Sequence, residues 1–382
     1  MAVAPGLSAG LRGRWRRFDG PDRLAGIDLA RGLAVIGMLA AHLLTIEDFA
    51  LADSATWVDV VNGRSSILFA TLAGVSIALV TGGPRPVRGA GRARASARIA
   101  LRAGILWAIG LALVSTGVPV YVILPAYAIL FLLSLPFLAW RARSLFLLAG
   151  AVAVVMPFLQ AAWDSAAFWA TPAGIDVAAM IGWHYPAPVW IAFLLAGMGA
   201  GRLDLRSPRI MVALLAAGAA LAALGYGLDA ASGAPRELEP FSLLAAVWTA
   251  RAHSSGLLEV VGSGGFALAV IGLCLLACRT PLRWPAIPLR AVGAMPLTAY
   301  TAQLVVWALV ASALLSDVGD LRGFRALEPF WPMTLAIVAG CTAWALLIGR
   351  GPLEAAVAAF TRWVVPSPPR EGRAAPVGKL EG

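Results

Sequence analysis

"GIDLARGLAVIGMLAAHLL", residues 26–44, is apolar for most of its length and yet carries Asp28, Arg31 and His42. A bilayer-spanning helix needs about 20 mostly apolar residues, so the stretch reads as one span. Helical steps of three and four put positions 28, 31, 35, 38 and 42 on one face. Asp28 and Arg31 sit together near the end that follows the basic N-terminal segment. His42 lies about 21 Å further on, at 1.5 Å of rise per residue. Ionisable groups inside a span are costly and face a polar cavity or a partner. Two readings follow: a structural Asp–Arg pair with an interfacial histidine, or one wall of a polar site.

The rest of the chain supports a membrane setting. Of its 382 residues, 60% are hydrophobic and only 13% charged, against about 25% charged in soluble domains. The net charge of +10 does not point to nucleic acid, because the charges lie in short clusters between apolar runs. All 30 basic residues but Lys379 are arginine. Lys379 belongs to "GKLEG", which reads as a cloning remnant and is set aside. The heavy use of Arg and Ala suggests a GC-rich bacterial genome, and hence a multi-pass protein of the cell (cytoplasmic) membrane. Cys274, Cys278 and Cys341 all fall in apolar runs, where packing explains them better than disulfides. The N-terminus resembles a signal peptide. The charged residues Asp28 and Arg31 and the lack of a small-residue cleavage site make it an uncleaved first helix.

Ten runs are long and apolar enough to span: 26–44, 65–82, 97–117, 120–140, 144–162, 187–203, 209–227, 257–278, 288–312 and 331–349. The stretch 241–250 is too short to cross and reads as interfacial or re-entrant. Residues 352–365 form an amphipathic segment on the membrane surface. Arginine-rich loops stay in the cytoplasm. With both termini inside, inner segments hold 25 of the 30 basic residues. Outer segments hold Arg64, Arg236, Arg251, Arg322 and Arg325. The expected protein is therefore an all-α integral membrane bundle of about ten transmembrane helices, both termini cytoplasmic. A basic segment, 1–22, precedes a single domain over 23–365, and a disordered tail, 366–382, follows it.

The chain has three histidines, His42, His184 and His253, and this topology puts all three at the outer face. Their surroundings are polar. "NGRSS" brings Asn62, Arg64, Ser65 and Ser66. "GWHYPAP" brackets His184 with aromatics and prolines. "HSSGLLE" carries His253, Ser254, Ser255 and Glu259. Together they suggest an outer-facing pocket with a general base and hydrogen-bond donors. A zinc site is a weaker reading, because no histidine has a close-spaced partner ligand, and no metal is expected. "AVGAMPLTAYTAQ", 291–303, opens a helix with Pro296 near its first turn. Its Tyr300 is a candidate binding residue, and its Gln303 is either helix–helix glue or a ligand contact. "LAGMGAGR" and "VGSGG" read as close helix packing rather than phosphate cradles. "RPVRGAGRARASAR" is a topology anchor on anionic lipid or a receiver of nucleotide phosphates.

The blocks "RLAGIDLARGLAVIGMLAAH", "NGRSSILFATLAGVSIAL", "IGWHYPAPVWIAFLLAGMGAGRLDL", "HSSGLLEVVGSGGFALAV" and "AVGAMPLTAYTAQ" resemble bacterial YeiB-like membrane proteins. Those are similar to the lysosomal heparan-α-glucosaminide N-acetyltransferase. The resemblance runs from about residue 23 to residue 358. It implies a transmembrane acyltransferase that takes an acyl group from cytosolic acetyl-CoA or another acyl-CoA. It passes that group to an amino sugar, glycan or cell-envelope acceptor across the membrane, with a histidine near the outer face as the key group. His42 is the best match by position. The lysosomal relative places its histidine in the loop after the first helix, and loop 45–63 here has none, so His184 and His253 stay open as alternatives.

Acyl transfer from a thioester needs a base and oxyanion donors, not a metal. On this reading His42 is the base, and His253 and Glu259 bind or assist. Asn62, Arg64 and nearby hydroxyls such as Ser65 orient donor or acceptor. Asp28 and Arg31 shape the inner mouth. The rival is a transporter or flippase for a polar or lipid-linked solute that uses the same buried charges as a path. Inverted repeats, which many transporters carry, are not evident. Partners implied are the lipid bilayer, acyl-CoA and the acceptor, without nucleic acid. The oligomeric state stays open, a homodimer included.

Overall fold

The computed structural model describes residues 13, 15, 18–21, 23–50, 52–232 and 243–366. Residues 367–382 of the expected tail, Lys379 among them, and most of the basic segment 1–22 lie outside the described residues. Among those residues the chain is all helix, without strands. Eight helical segments are long and apolar enough to cross a membrane, which makes the chain a multi-pass membrane protein.

The first helix, α1, runs Ala25–Leu43. A 3-10 turn, Ser54–Val61, leads into α2, Arg64–Val80. Then follow α3 (Gly89–Val114), α4 (Leu124–Ser134), α5 (Ala142–Asp164) and the short α6 (Pro172–Ile181). The middle of the chain holds α7 (Ala187–Gly201), α8 (Pro208–Ser232), the single-turn α9 (Leu243–Val247) and α10 (Leu257–Ala277). The last part holds α11 (Ile287–Ala294), α12 (Pro296–Leu314), α13 (Leu321–Ala326), α14 (Phe330–Leu347) and α15 (Pro352–Val364).

Burial sorts these helices into a centre and a periphery. The apolar window of α1 is 72% buried, and those of α3, α5, α8 and α14 only 22%. The outer helices present Leu147, Val154, Val212, Leu224 and Leu335, which suits hydrocarbon rather than water. The central group is α1, α2, α7, α10 and α11. It is built by close backbone approach. Gly26, Gly32 and Gly37 of α1 face Leu275 of α10, Leu289 of α11 and Ser65 of α2 with no room for a β-carbon. Gly293 of α11 answers from the other side, against the Asp28 carbonyl. Gly197 of α7 and Gly74 of α2 lock the same way against the Thr71 and Leu194 carbonyls. The glycine-rich stretches "LAGMGAGR" and "VGSGG" therefore do serve packing: Gly265 meets Leu221 and Ala222 of α8.

Two of the ten expected spans are shorter than a bilayer crossing. The run 120–140 becomes α4 plus a 3-10 turn, Leu135–Phe137, because Pro136 interrupts it. The run 187–203 becomes the 15 residues of α7, which rise about 22 Å. α7 is buried along almost its whole length, and cavities lie beyond both of its ends. Protein surrounds it, so hydrocarbon thickness does not set its length. The expected span 288–312 is divided at Met295, and Pro296 starts α12 afresh. Glu354 of α15 caps that start, accepting from the Leu297 and Thr298 amides at 2.8 and 3.1 Å. Among the described residues of stretch 241–250 the helical ones are the five of α9, and α15 matches the amphipathic segment, with Phe360 and Trp363 exposed.

Replacing Gly293 by Val should cost about 1–3 kcal/mol by overpacking. The measurement is thermal unfolding in detergent. Gly104→Ala, at a site with open space on exposed α3, should leave stability unchanged or slightly raised.

Candidate active site

At one end of the central group a cavity of about 270 Å³ opens. It is lined by His42, Asn62, Ser65, Ser66, Tyr121, His184, Tyr185, His253 and Arg325, with Met38 and Val120 among its apolar wall residues. The three imidazoles, spread over the chain by 211 positions, thus meet on one surface.

His42 sits in the last turn of α1. Its carbonyl accepts from Arg325 Nε and Nη2 at 3.1 and 2.8 Å. That satisfies an acceptor the helix end leaves open and places a cation at the negative end of the helix dipole. Asn62, just after the 3-10 turn, donates from Nδ2 to Asp59 Oδ1 at 3.2 Å. Ser65 lies against Gly37 of α1, so its place at the cavity follows from the α1–α2 approach.

His184 and His253 form a stacked column. The His184 ring lies 3.7 Å from the Tyr121 ring at 9° and 4.6 Å from the His253 ring at 35°. Tyr185 closes the column edge-on, 5.1 Å from His184 and 5.8 Å from His253. Two residues of the His253 loop, His253 and Ser255, adopt left-handed backbone with φ of 61° and 55°. Non-glycine residues pay a conformational cost there, which the surroundings must offset. Glu259 does so. Its Oε1 accepts the His253 amide at 2.7 Å, and its Oε2 accepts the Ser255 amide at 2.7 Å and the Ser254 hydroxyl at 3.1 Å. Expected as a catalytic partner, Glu259 is buried behind the loop and does not line the cavity. Its geometry is that of a positioning residue.

Arg64 is likewise turned away. It donates from Nε to the Tyr226 hydroxyl at 2.9 Å, and Nη1 donates to the Asp59 carbonyl at 2.6 Å. It ties α2 to α8 and holds Asp59, which in turn holds Asn62. Tyr300 and Gln303 are fully buried. The Tyr300 hydroxyl accepts from the Ile123 amide at 3.3 Å, and Gln303 Nε2 lies 3.5 Å from the Val35 carbonyl, so Gln303 joins α12 to α1. Asp28 and Arg31 sit at the opposite end of α1. Arg31 Nη1 meets Asp28 Oδ1 at 3.0 Å, and its Nη2 donates to Ser76 of α2 at 3.0 Å. Neither lines the cavity. Among the described residues no group of three His, Cys, Asp or Glu side chains has metal-holding geometry.

The residues that sequence reasoning passed over are Tyr121, Tyr185 and Arg325. Arg325 had one signal: it is one of the few arginines on the side that the charge count leaves poor in them. Tyr121 had none.

The family model for heparan-alpha-glucosaminide N-acetyltransferase, catalytic, matches residues 23–226, more than half of the chain. The chain belongs to the heparan-alpha-glucosaminide N-acetyltransferase catalytic family. A second model, for a protein of unknown function (DUF418), matches residues 205–364. The comparison with curated proteins returns no match. The cavity draws on both matched regions of this membrane acetyltransferase family member. His42, Asn62, Ser65, Tyr121 and His184 come from the first, and His253 and Arg325 from the second.

Burial pushes the His184 imidazole down to about 4, with neighbouring His253 and His42 adding to the shift, and burial alone does the same for His253. The unfolded chain takes these protons near 6.5, the folded one only near 4. Their contribution is therefore fully present above 6.5 and is lost as pH falls from 6.5 towards 4. Thermal stability in detergent should drop over that window. The double variant His184→Asn/His253→Asn should show a smaller drop, and an equal one would remove these groups as the cause.

Proposed function

We propose that the chain is an integral-membrane acyltransferase with both termini in the cytoplasm of a bacterial cell. It moves an acyl group, acetyl first among candidates, from cytosolic acyl-CoA to an extracytoplasmic amino sugar, glycan or cell-envelope acceptor. The single observation that supports this most is the meeting of His42, His184 and His253 on one cavity with Asn62, Ser65 and Ser66. Membership of an acetyltransferase family favours acyl transfer over transport for that cavity.

The chemistry asks little beyond these residues. The acceptor amine or hydroxyl attacks the thioester carbonyl. A new C–N or C–O bond forms, and the C–S bond breaks. The acceptor proton goes to an imidazole and from there to the departing thiolate. His42 is the favoured base: it projects from the end of a rigid span, and its carbonyl is clamped by Arg325. A neutral imidazole suits this work near neutral pH. Asn62 and the Ser65 and Ser66 hydroxyls line the same wall and are candidate donors to the carbonyl oxygen as it becomes negative. Glu259 keeps His253 in place, and His253 and His184 flank the acceptor.

Purified protein in lipid nanodiscs, given labelled acetyl-CoA and a panel of amino sugars, should transfer label. His42→Ala should lower the rate by about 10²–10⁴-fold, the usual span of a general base. Wild-type rates in that variant would remove His42 from the mechanism. Stabilisation by transported solutes but not by acyl-CoA would favour a transporter.

A further inference from the structure

An apolar cavity of about 250 Å³ shares a wall with the histidine cavity. Val120, Tyr121, His184 and Tyr185 line both. The rest of its lining is Val114 at the end of α3, Val122, Trp169 and, on and just after α6, Ile175, two alanines and Gly182. None of these is charged. The histidine cavity differs on its own side, where Asn62, Ser65, Ser66 and Arg325 contribute. A polar chamber and an apolar one therefore meet at the stacked rings of Tyr121 and His184, 3.7 Å apart. Small residues on the α6 side make the room. Gly182, with φ of 67°, seats the end of α6 directly on the Ala126 backbone of α4.

The apolar cavity lies where the bilayer edge is marked by tryptophan. α6 has ten residues, too few to cross a bilayer, and four tryptophans gather around it. Trp107 of α3 donates from Nε1 to the Met180 carbonyl at 2.9 Å, and Trp169 donates to the Trp163 carbonyl at 2.9 Å. Trp169 stacks on Trp183 at 4.4 Å, and Trp183 Nε1 donates to Asp164 Oδ1 at 2.8 Å. Tryptophan concentrates where hydrocarbon meets headgroups. Beside these rings Phe168, Ile175 and Met180 are exposed, as suits contact with lipid. A bilayer amphiphile has the same division as the two chambers, with a polar head at the interface and an alkyl chain beside it. A fully polar acceptor would occupy the histidine cavity and leave the apolar one unused.

We infer that the acceptor is a membrane-resident amphiphile whose polar head enters the histidine cavity and whose alkyl chain lies in part against α6, in the apolar cavity. For the fate of the head this rests on the acyl-transfer reading, whereas the seating of the chain is read by binding alone. The occupant is the acceptor and not the acyl chain of the donor. His42, the favoured base, does not line the apolar cavity, while His184, which flanks the acceptor, lines both. The volume lies just under the roughly 300–1,000 Å³ of whole small-ligand sites, which fits part of a chain rather than a complete ligand.

The probe is an octyl glucosaminide with a diazirine in its chain, photolysed with the full chain in lipid nanodiscs and mapped by peptide mass spectrometry. Wild type should be labelled within 114–122 or 169–182. Ala178→Trp fills the cavity and should cut that labelling by about tenfold or more, the usual effect of a misfit in an apolar pocket. Ile175→Ser, at an exposed position, should lower it too and serves if Ala178→Trp does not fold. Val212→Trp, on the lipid-facing side of α8, should leave it unchanged. In transfer assays Ala178→Trp should raise KM for the octyl glucosaminide and not for the methyl glucosaminide. Labelling of the cavity segments without any transfer would keep the chain site and remove the acyl-transfer reading. Labelling spread over the lipid-facing helices, and insensitive to both α6 variants, would overturn the inference. So would labelling of α6 by a diazirine-bearing long-chain acyl-CoA and not by the glucosaminide.

Discussion

Close approach of the α1 backbone to three neighbours is the constraint on which the rest depends. Helices in hydrocarbon gain no hydrophobic drive from meeting, so small residues that allow close approach decide which pairs form. Gly26, Gly32 and Gly37 bring α1 against α10, α11 and α2 in turn. The same helix carries Asp28 and Arg31 at one end and His42 at the other. Once α1 is seated, Arg31 reaches Ser76, Ser65 comes under Gly37, and His42 is delivered to the cavity wall.

The polar groups follow a second rule. Away from water each must find a partner inside the protein. Arg64 finds Tyr226 and Asp59, and Arg290 and Arg283 share Asp19. Glu259 collects three donors from the strained His253 loop. Among the buried atoms without partners are His253 Nδ1 and Arg202 Nε. Those two residues line the cavities beyond the two ends of α7.

Much of the fold was legible because apolar run length is a local property. Every one of the ten expected runs contains a helix, and the amphipathic 352–365 is one too. The misjudged ends have two causes. Pro136 interrupts the 120–140 run, whereas α7 is short where protein surrounds it, and a hydropathy window does not distinguish a protein neighbour from a lipid one. In the site, His42, Asn62, Ser65, His184 and His253 were visible as polar residues in an apolar chain. Glu259, Arg64, Tyr300 and Gln303 carried the same signal and turned out to face inward, because polarity reveals cost and not direction.

The sequence alone determined the membrane class, the helical runs and the gathering of arginines on one side and histidines on the other. These follow from composition and from the 1.5 Å rise of a helix, which need no knowledge of neighbours. Only the tertiary structure decided that three imidazoles touch one cavity, that Arg325 clamps the His42 carbonyl, and that Glu259 supports a loop. Each of those depends on which helices cross and at what height, and a glycine's contact partner lies tens to hundreds of residues away.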